Sequence, residues 1–222
     1  MSNDTWAALT ATPLAEVRRR AAVIGEIAEV EPMTVDGAER CAWNDGGGQS
    51  AVWYFTPDGR ALLLTFDHES DLNLYAEGDY ALQESLYRGV PESLVRLVRN
   101  RPENYESLNL VDEGTGDSIH YAGGVFWYDG ERWAAAEGFL AHCEREGLDP
   151  MVDSGFEYCL DACAFGGEFT PESVVERRAA EEWYDDEDDR EAALVEIRGI
   201  FDRVDGGSAS RTARTAPPTA RR

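Results

Sequence analysis

Leu14, Val17, Ala21, Ile24 and Ala28 recur at helical spacing and predict one amphipathic helix over residues 13–31. Thr12 suits its N-cap and Pro13 its first turn. Pro32, which disfavours helix before it, marks its end. The period then changes. Residues 44–49, Asn-Asp-Gly-Gly-Gly-Gln, are a loop by composition, and the apolar runs 51–56 and 61–66 flank Pro57-Asp58-Gly59-Arg60. That tetrapeptide predicts a hairpin turn, because proline presets φ and glycine accepts positive φ. Leu62-Leu63-Leu64 has no polar alternation, so the returning strand is expected to be buried on both faces.

Residues 79–100 read as helix, broken near Gly89-Val90-Pro91, with Leu94, Leu97 and Val98 turned inward in the second piece. A strand over 107–111 and a turn at 114–117 follow. Val125 to Tyr128, then Asp129-Gly130, then Glu131-Arg132-Trp133, predicts a second hairpin with a type I′ turn, which needs positive φ at both central residues. A helix over 134–146 should close on a left-handed Gly147. Thr170-Pro171-Glu172-Ser173 opens a helix running to about Trp183, and 190–204 is a last amphipathic helix with Leu194, Ile197, Ile200 and Phe201 on one side, ended by Gly206-Gly207.

These elements imply an α+β fold: a mixed or antiparallel sheet built from two hairpins, with helices packed on it. A single domain is expected over 1–207, with 165–204 as an alternative helical appendage. Residues 208–222 contain Ser, Ala, Arg, Thr and Pro with no large apolar side chain, so this basic tail is expected to be disordered.

Charge narrows the function. The chain carries 44 acids and 20 bases, a net charge of −24. Every base is arginine, a bias that suits a high-GC genome. Such a surface repels nucleic acid and anionic membranes, whose phosphates demand positive charge, and attracts a basic protein by long-range steering. No run reaches the length of a membrane span, and the first residues lack the basic and apolar regions of a signal peptide. A cytoplasmic location follows as the expectation, with the four cysteines reduced.

Three segments carry candidate chemistry. Asp67-His68-Glu69, directly after the buried strand, offers two carboxylates and an imidazole for metal binding or acid–base work. Strand alternation would place Asp67 and Glu69 on one side and His68 on the other. The bland alternative is a turn in which Asp67 or Ser70 bonds nearby backbone. Cys159 and Cys163, four apart, would share a helix face, and with Cys143 or His142 and Cys41 they could complete a tetrahedral zinc site. Buried thiols packing as small hydrophobes are the alternative. Seven of the nine residues from 181 to 189 are acidic. There Trp183 and Tyr184 could anchor an interface whose carboxylates Asp185, Asp186, Glu187, Asp188 and Asp189 meet a basic partner; a solvated helix junction is the plainer reading. No Gly-x-Ser-x-Gly elbow or phosphate-binding loop is present, and no cofactor is implied.

The segment Tyr54-Phe55-Thr56-Pro57-Asp58-Gly59-Arg60, continuing through Asp67-His68-Glu69-Ser70, resembles uncharacterised actinobacterial proteins of the immunity-like, toxin-associated kind. The aromatic-Asp-Gly-x-Arg-Trp hairpin is similar in kind, so the resemblance spans residues 51–75 and 123–134. It implies a cytoplasmic protein and no catalytic residue. The leading expectation is therefore an acidic, non-enzymatic binding protein, such as an immunity protein that neutralises a basic toxin. The alternatives are a metal-assisted hydrolytic enzyme using Asp67, His68 and Glu69, and a structural or regulatory subunit of a complex.

Overall fold

The structure, a computed structural model, describes residues 4–74, 78–101, 108–181 and 183–215, with side chains as far as 207. The chain divides into two compact units, Met1–Gly166 and Gly167–Arg222. The fold is α+β.

The first unit is organised by a six-stranded antiparallel sheet in the order β1-β2-β3-β4-β7-β8. Its strands are β1 (Met33–Val35), β2 (Ala38–Asn44), β3 (Gln49–Phe55), β4 (Ala61–Asp67), β7 (Gly124–Tyr128) and β8 (Trp133–Ala135). A separate pair, β5 (Asn109–Val111) and β6 (Ser118–His120), is also antiparallel. The helices of this unit are α1 (Asp4–Ala11), α2 (Leu14–Ile27), α3 (Tyr80–Leu86), α4 (Glu92–Val95), α5 (Glu137–Glu146) and α6 (Phe156–Asp161).

Register sorts the side chains into two faces. Arg40, Tyr54, Leu62 and Trp127 lie in one cross-strand row; Cys41, Trp53, Leu63 and Phe126 lie in the next, on the opposite face. Both faces are covered. On the first, Tyr121 packs edge-on against Phe66 at 5.2 Å. On the second, Phe126 meets Trp6 of α1 at 5.7 Å, Phe156 of α6 at 4.6 Å and Phe139 of α5 at 5.4 Å. This explains the apolar runs: Gln49–Phe55 is buried at every position, and Leu62, Leu63 and Leu64 are fully enclosed. Each such leucine contributes about 2 kcal/mol of burial. Helix α2 lies so close to β2 that a Cβ on Gly25 would stand 2.8 Å from the Ala42 carbonyl oxygen.

Several local expectations need correction. Helix α2 starts one residue later than expected, with Pro13 at its N-cap, because the Thr12 hydroxyl donates backwards to the Ala8 carbonyl at 2.8 Å. It ends at Ile27, where Glu29 takes a positive φ of 56°, before Pro32 acts. The β7–β8 connection is not type I′. Tyr128 pairs with Trp133, leaving a four-residue loop in which Gly130 has positive φ but Asp129 does not. The Asp129 carboxylate instead accepts the amides of Glu131 and Arg132 at 2.6 and 2.8 Å. Positive φ at two consecutive turn residues occurs at Asp36 (47°) and Gly37 (84°), between β1 and β2. Ala134 and Ala135 pair with β7, so the helix expected from 134 begins at Glu137. Its left-handed Gly147 cap is present, with φ 74°.

The second unit holds α7 (Pro171–Ala180) and α8 (Glu187–Thr215). Thr170 and Ser173 form the capping box that opens α7. Phe169 and Phe201 pack at 5.2 Å, and Ile197 and Ile200 of α8 are buried. Helix α8 begins inside the acidic run rather than at Arg190, and it does not stop at Gly206-Gly207. Its backbone runs on to Thr215, and residues 216–222 of the basic tail lie outside the described ones. Among the described residues, no helix is long and apolar enough to cross a membrane.

Candidate functional site

Asp67 is the last residue of β4, and His68 to Asp71 form a turn, so strand alternation stops before it could separate His68 from Glu69. Asp67 holds this turn. Its Oδ1 accepts the Glu69 amide at 3.0 Å and the Gln49 side-chain amide at 3.0 Å, and its carbonyl accepts the Ser70 hydroxyl at 2.9 Å. His68 is exposed; its amide donates to the Gly48 carbonyl at 3.3 Å, its ring lies against Gly48, and its Nε2 stands 3.8 Å from Glu69. His68 and Glu69 thus project from a surface turn that the half-buried Asp67 side chain holds in place.

Gly155 locks that turn onto the sheet. It takes φ 69°, and a Cβ there would overlap the Asp67 side chain. The contact seats α6 against the end of β4, where the Cys159 thiol donates to the Phe66 carbonyl at 3.3 Å. Helix α6 ends at Asp161, so Cys163 lies past its C-cap in a turn and does not share a continuous helical face with Cys159. All four cysteines are buried, and none is in a disulfide. Burial, assisted by the Asp153 charge, pushes the Cys143 thiol up to about 11. Burial, with the Asp67 charge second, pushes Cys159 up to about 12. Among the described residues, no three His, Cys, Asp or Glu side chains gather as a metal-holding group.

A neighbouring feature escaped the sequence. Tyr158 on α6 donates its hydroxyl to Asp45 at 3.3 Å and lies 6.5 Å, ring to ring, from Trp43 on β2. Asp45 is fixed in turn by the Gly47 and Gln49 amides at 2.8 and 3.0 Å. Tyr158 is 55% exposed, and its phenol is raised above the usual value first by desolvation and then by the Asp45 carboxylate, with Asp67 contributing. Asp45 and Asp67 thus place negative charge on Tyr158, whose ring neighbours Trp43. The only signal available beforehand was a tryptophan two residues from an aspartate in a glycine loop; its partner lies 113 residues along the chain.

In the second unit, Trp183 is 58% exposed, with its indole N–H on Glu181 at 3.0 Å and the Arg178 guanidinium 5.0 Å above its ring. The acidic run beside it has a helix-starting role. Asp186 accepts the Asp189 amide at 3.0 Å, and Glu187, Asp188 and Asp189 fill the first turn of α8, where the helix dipole favours negative charge. Tyr184 is half-buried, and Asp185 to Asp189 are exposed.

Comparison with family models, with curated proteins and with solved structures finds no match to this chain.

Proposed function

We propose that this chain is an acidic, non-enzymatic binding protein whose partner is a basic protein, with toxin neutralisation by an immunity protein as its biological form. One observation carries the reading: none of the described carboxylates is buried, in a chain with 44 acids to 20 bases. The acids therefore act outward, where they accelerate encounter with a cationic surface and set its orientation. The aromatic and carboxylate end of the first unit's sheet supplies the local chemistry for an arginine or lysine side chain, by ion pairing to Asp45 or Asp67 and stacking on Tyr158 or Trp43. The Trp183 to Asp189 segment is a second acidic face of the same kind.

Capture of partners from the native cell lysate at low ionic strength, followed by salt elution, tests this. The expected result is one basic protein released as salt rises, with weaker capture by a Tyr158→Ala, Asp45→Asn variant. Capture of no basic protein at low salt, or retention unaffected by salt, would refute it.

A further inference from the structure

The geometry points to a second site: a cleft of about 470 Å³ in the first unit that binds a small oxyanion, a carboxylate or a phosphate monoester, through Arg96 and Ser93. It opens where the β1–β2 and β3–β4 turns approach α4, and its volume falls in the range of small-molecule sites. Ala38 and Leu97 give it apolar lining.

Its polar groups are unequally used. Asp58 accepts the Thr56 hydroxyl together with two nitrogens of Arg60, Nε at 2.9 Å and a terminal nitrogen at 2.5 Å. These contacts, Arg60 first, hold the Asp58 carboxyl below its usual range. Asp36 is paired with Arg101 at 2.5 Å. Both carboxylates lining the cleft are therefore neutralised within the protein. The remaining terminal nitrogen of Arg60 donates to Ser93 Oγ at 2.8 Å, which leaves the Ser93 hydroxyl proton to be given elsewhere. Arg96, the C-cap of α4 and three residues on, is exposed; its amide donates to the Glu92 carbonyl at 3.0 Å, and its guanidinium makes no ion pair or hydrogen bond with any described residue.

What the cleft offers a visitor is thus donors: a guanidinium fork and a hydroxyl. A planar fork matches the paired oxygens of a carboxylate or phosphate. The net charge of −24 does not forbid this. At physiological salt, charges beyond a Debye length of about 8 Å are largely screened, and the charged side chains that line the cleft, Arg60 and Arg96 against Asp36 and Asp58, balance, with both aspartates already engaged by arginines. This cleft is separate from the basic partner's site, which would use carboxylates elsewhere on the surface.

Titration of the full chain with inorganic phosphate and, separately, with succinate, followed by ¹H–¹⁵N spectra at ionic strength fixed with sodium chloride, tests the site. Saturable shifts at Ser93, Arg96 and Arg60 are expected with at least one of the two; phosphate alone or succinate alone would identify the ligand class. Arg96→Gln should weaken that binding by at least about ten-fold, the size of one lost charge-assisted contact, with an unchanged unfolding midpoint because Arg96 holds nothing in place. Absence of saturable shifts with both anions, or equal affinity in Arg96→Gln, overturns the proposal. Neither result bears on salt-dependent capture of a basic protein.

Discussion

Acidification should destabilise this protein through His120. The residue sits in β6 at 2% exposure, its carbonyl accepting the Tyr87 hydroxyl at 2.7 Å and its amide donating to Val98 at 3.0 Å. Burial, and secondarily the positive charge of the buried Arg40, hold its imidazole down to about 3 from an ordinary 6.5. Tyr54 and Tyr87 lie in the same interior, and burial raises the Tyr87 phenol well above its ordinary value. The unfolded chain takes up the His120 proton near pH 6.5, whereas the folded chain refuses it until about pH 3. The unfolded state therefore holds more protons throughout that window. The stability due to neutral His120 is complete above 6.5, falls as pH drops, and levels off below about 3. Linkage gives a loss of about 3 kcal/mol between about pH 8 and about pH 4. Urea unfolding of the native chain and of His120→Gln across this range isolates the contribution, since acid-range carboxylates such as Asp58, Asp112 and Asp129 act equally in both. The native chain should lose about 3 kcal/mol more than the variant. Parallel curves, or a His120 imidazole resonance that titrates near 6.5 in the folded protein, would overturn this account of His120.

Other outcomes follow from single contacts. Gly155→Ala combines the cost of a side chain at φ 69° with overlap onto Asp67 and should destabilise by roughly 2–4 kcal/mol in urea unfolding. The four thiols should resist a thiol reagent at neutral pH in the folded chain and all react in denaturant, because they are buried and Cys143 and Cys159 are held at about 11 and about 12. Thr170→Ala removes the capping box of α7 and should cost about 1 kcal/mol, read as lost helical ellipticity and a lower unfolding midpoint.

Local chemistry made a large part of this protein legible in advance. The β3–β4 hairpin followed from Pro57-Asp58-Gly59 between apolar runs, the α3–α4 break from Pro91, the α7 start from Thr170-Pro171, and the α5 end from Gly147, because each depends on a few neighbouring residues. The β1–β2 hairpin was equally local, written as Val35-Asp36-Gly37-Ala38, yet its three-residue first strand is too short to carry a period. The turn assigned to Asp129-Gly130 needed the strand register, which the Tyr128–Trp133 pairing sets.

The α+β class, the enclosed central strands and the acidic surface could be read from composition and short-range period. Tertiary structure alone decided that β4 would pair with β7, that Tyr158 would reach Asp45, and that Asp36, Asp58 and Arg60 would meet Ser93 and Arg96 around one cleft. Those pairings join residues tens to more than a hundred positions apart. They are selected by which folded arrangement buries both faces of the sheet at once, and no local pattern encodes that choice.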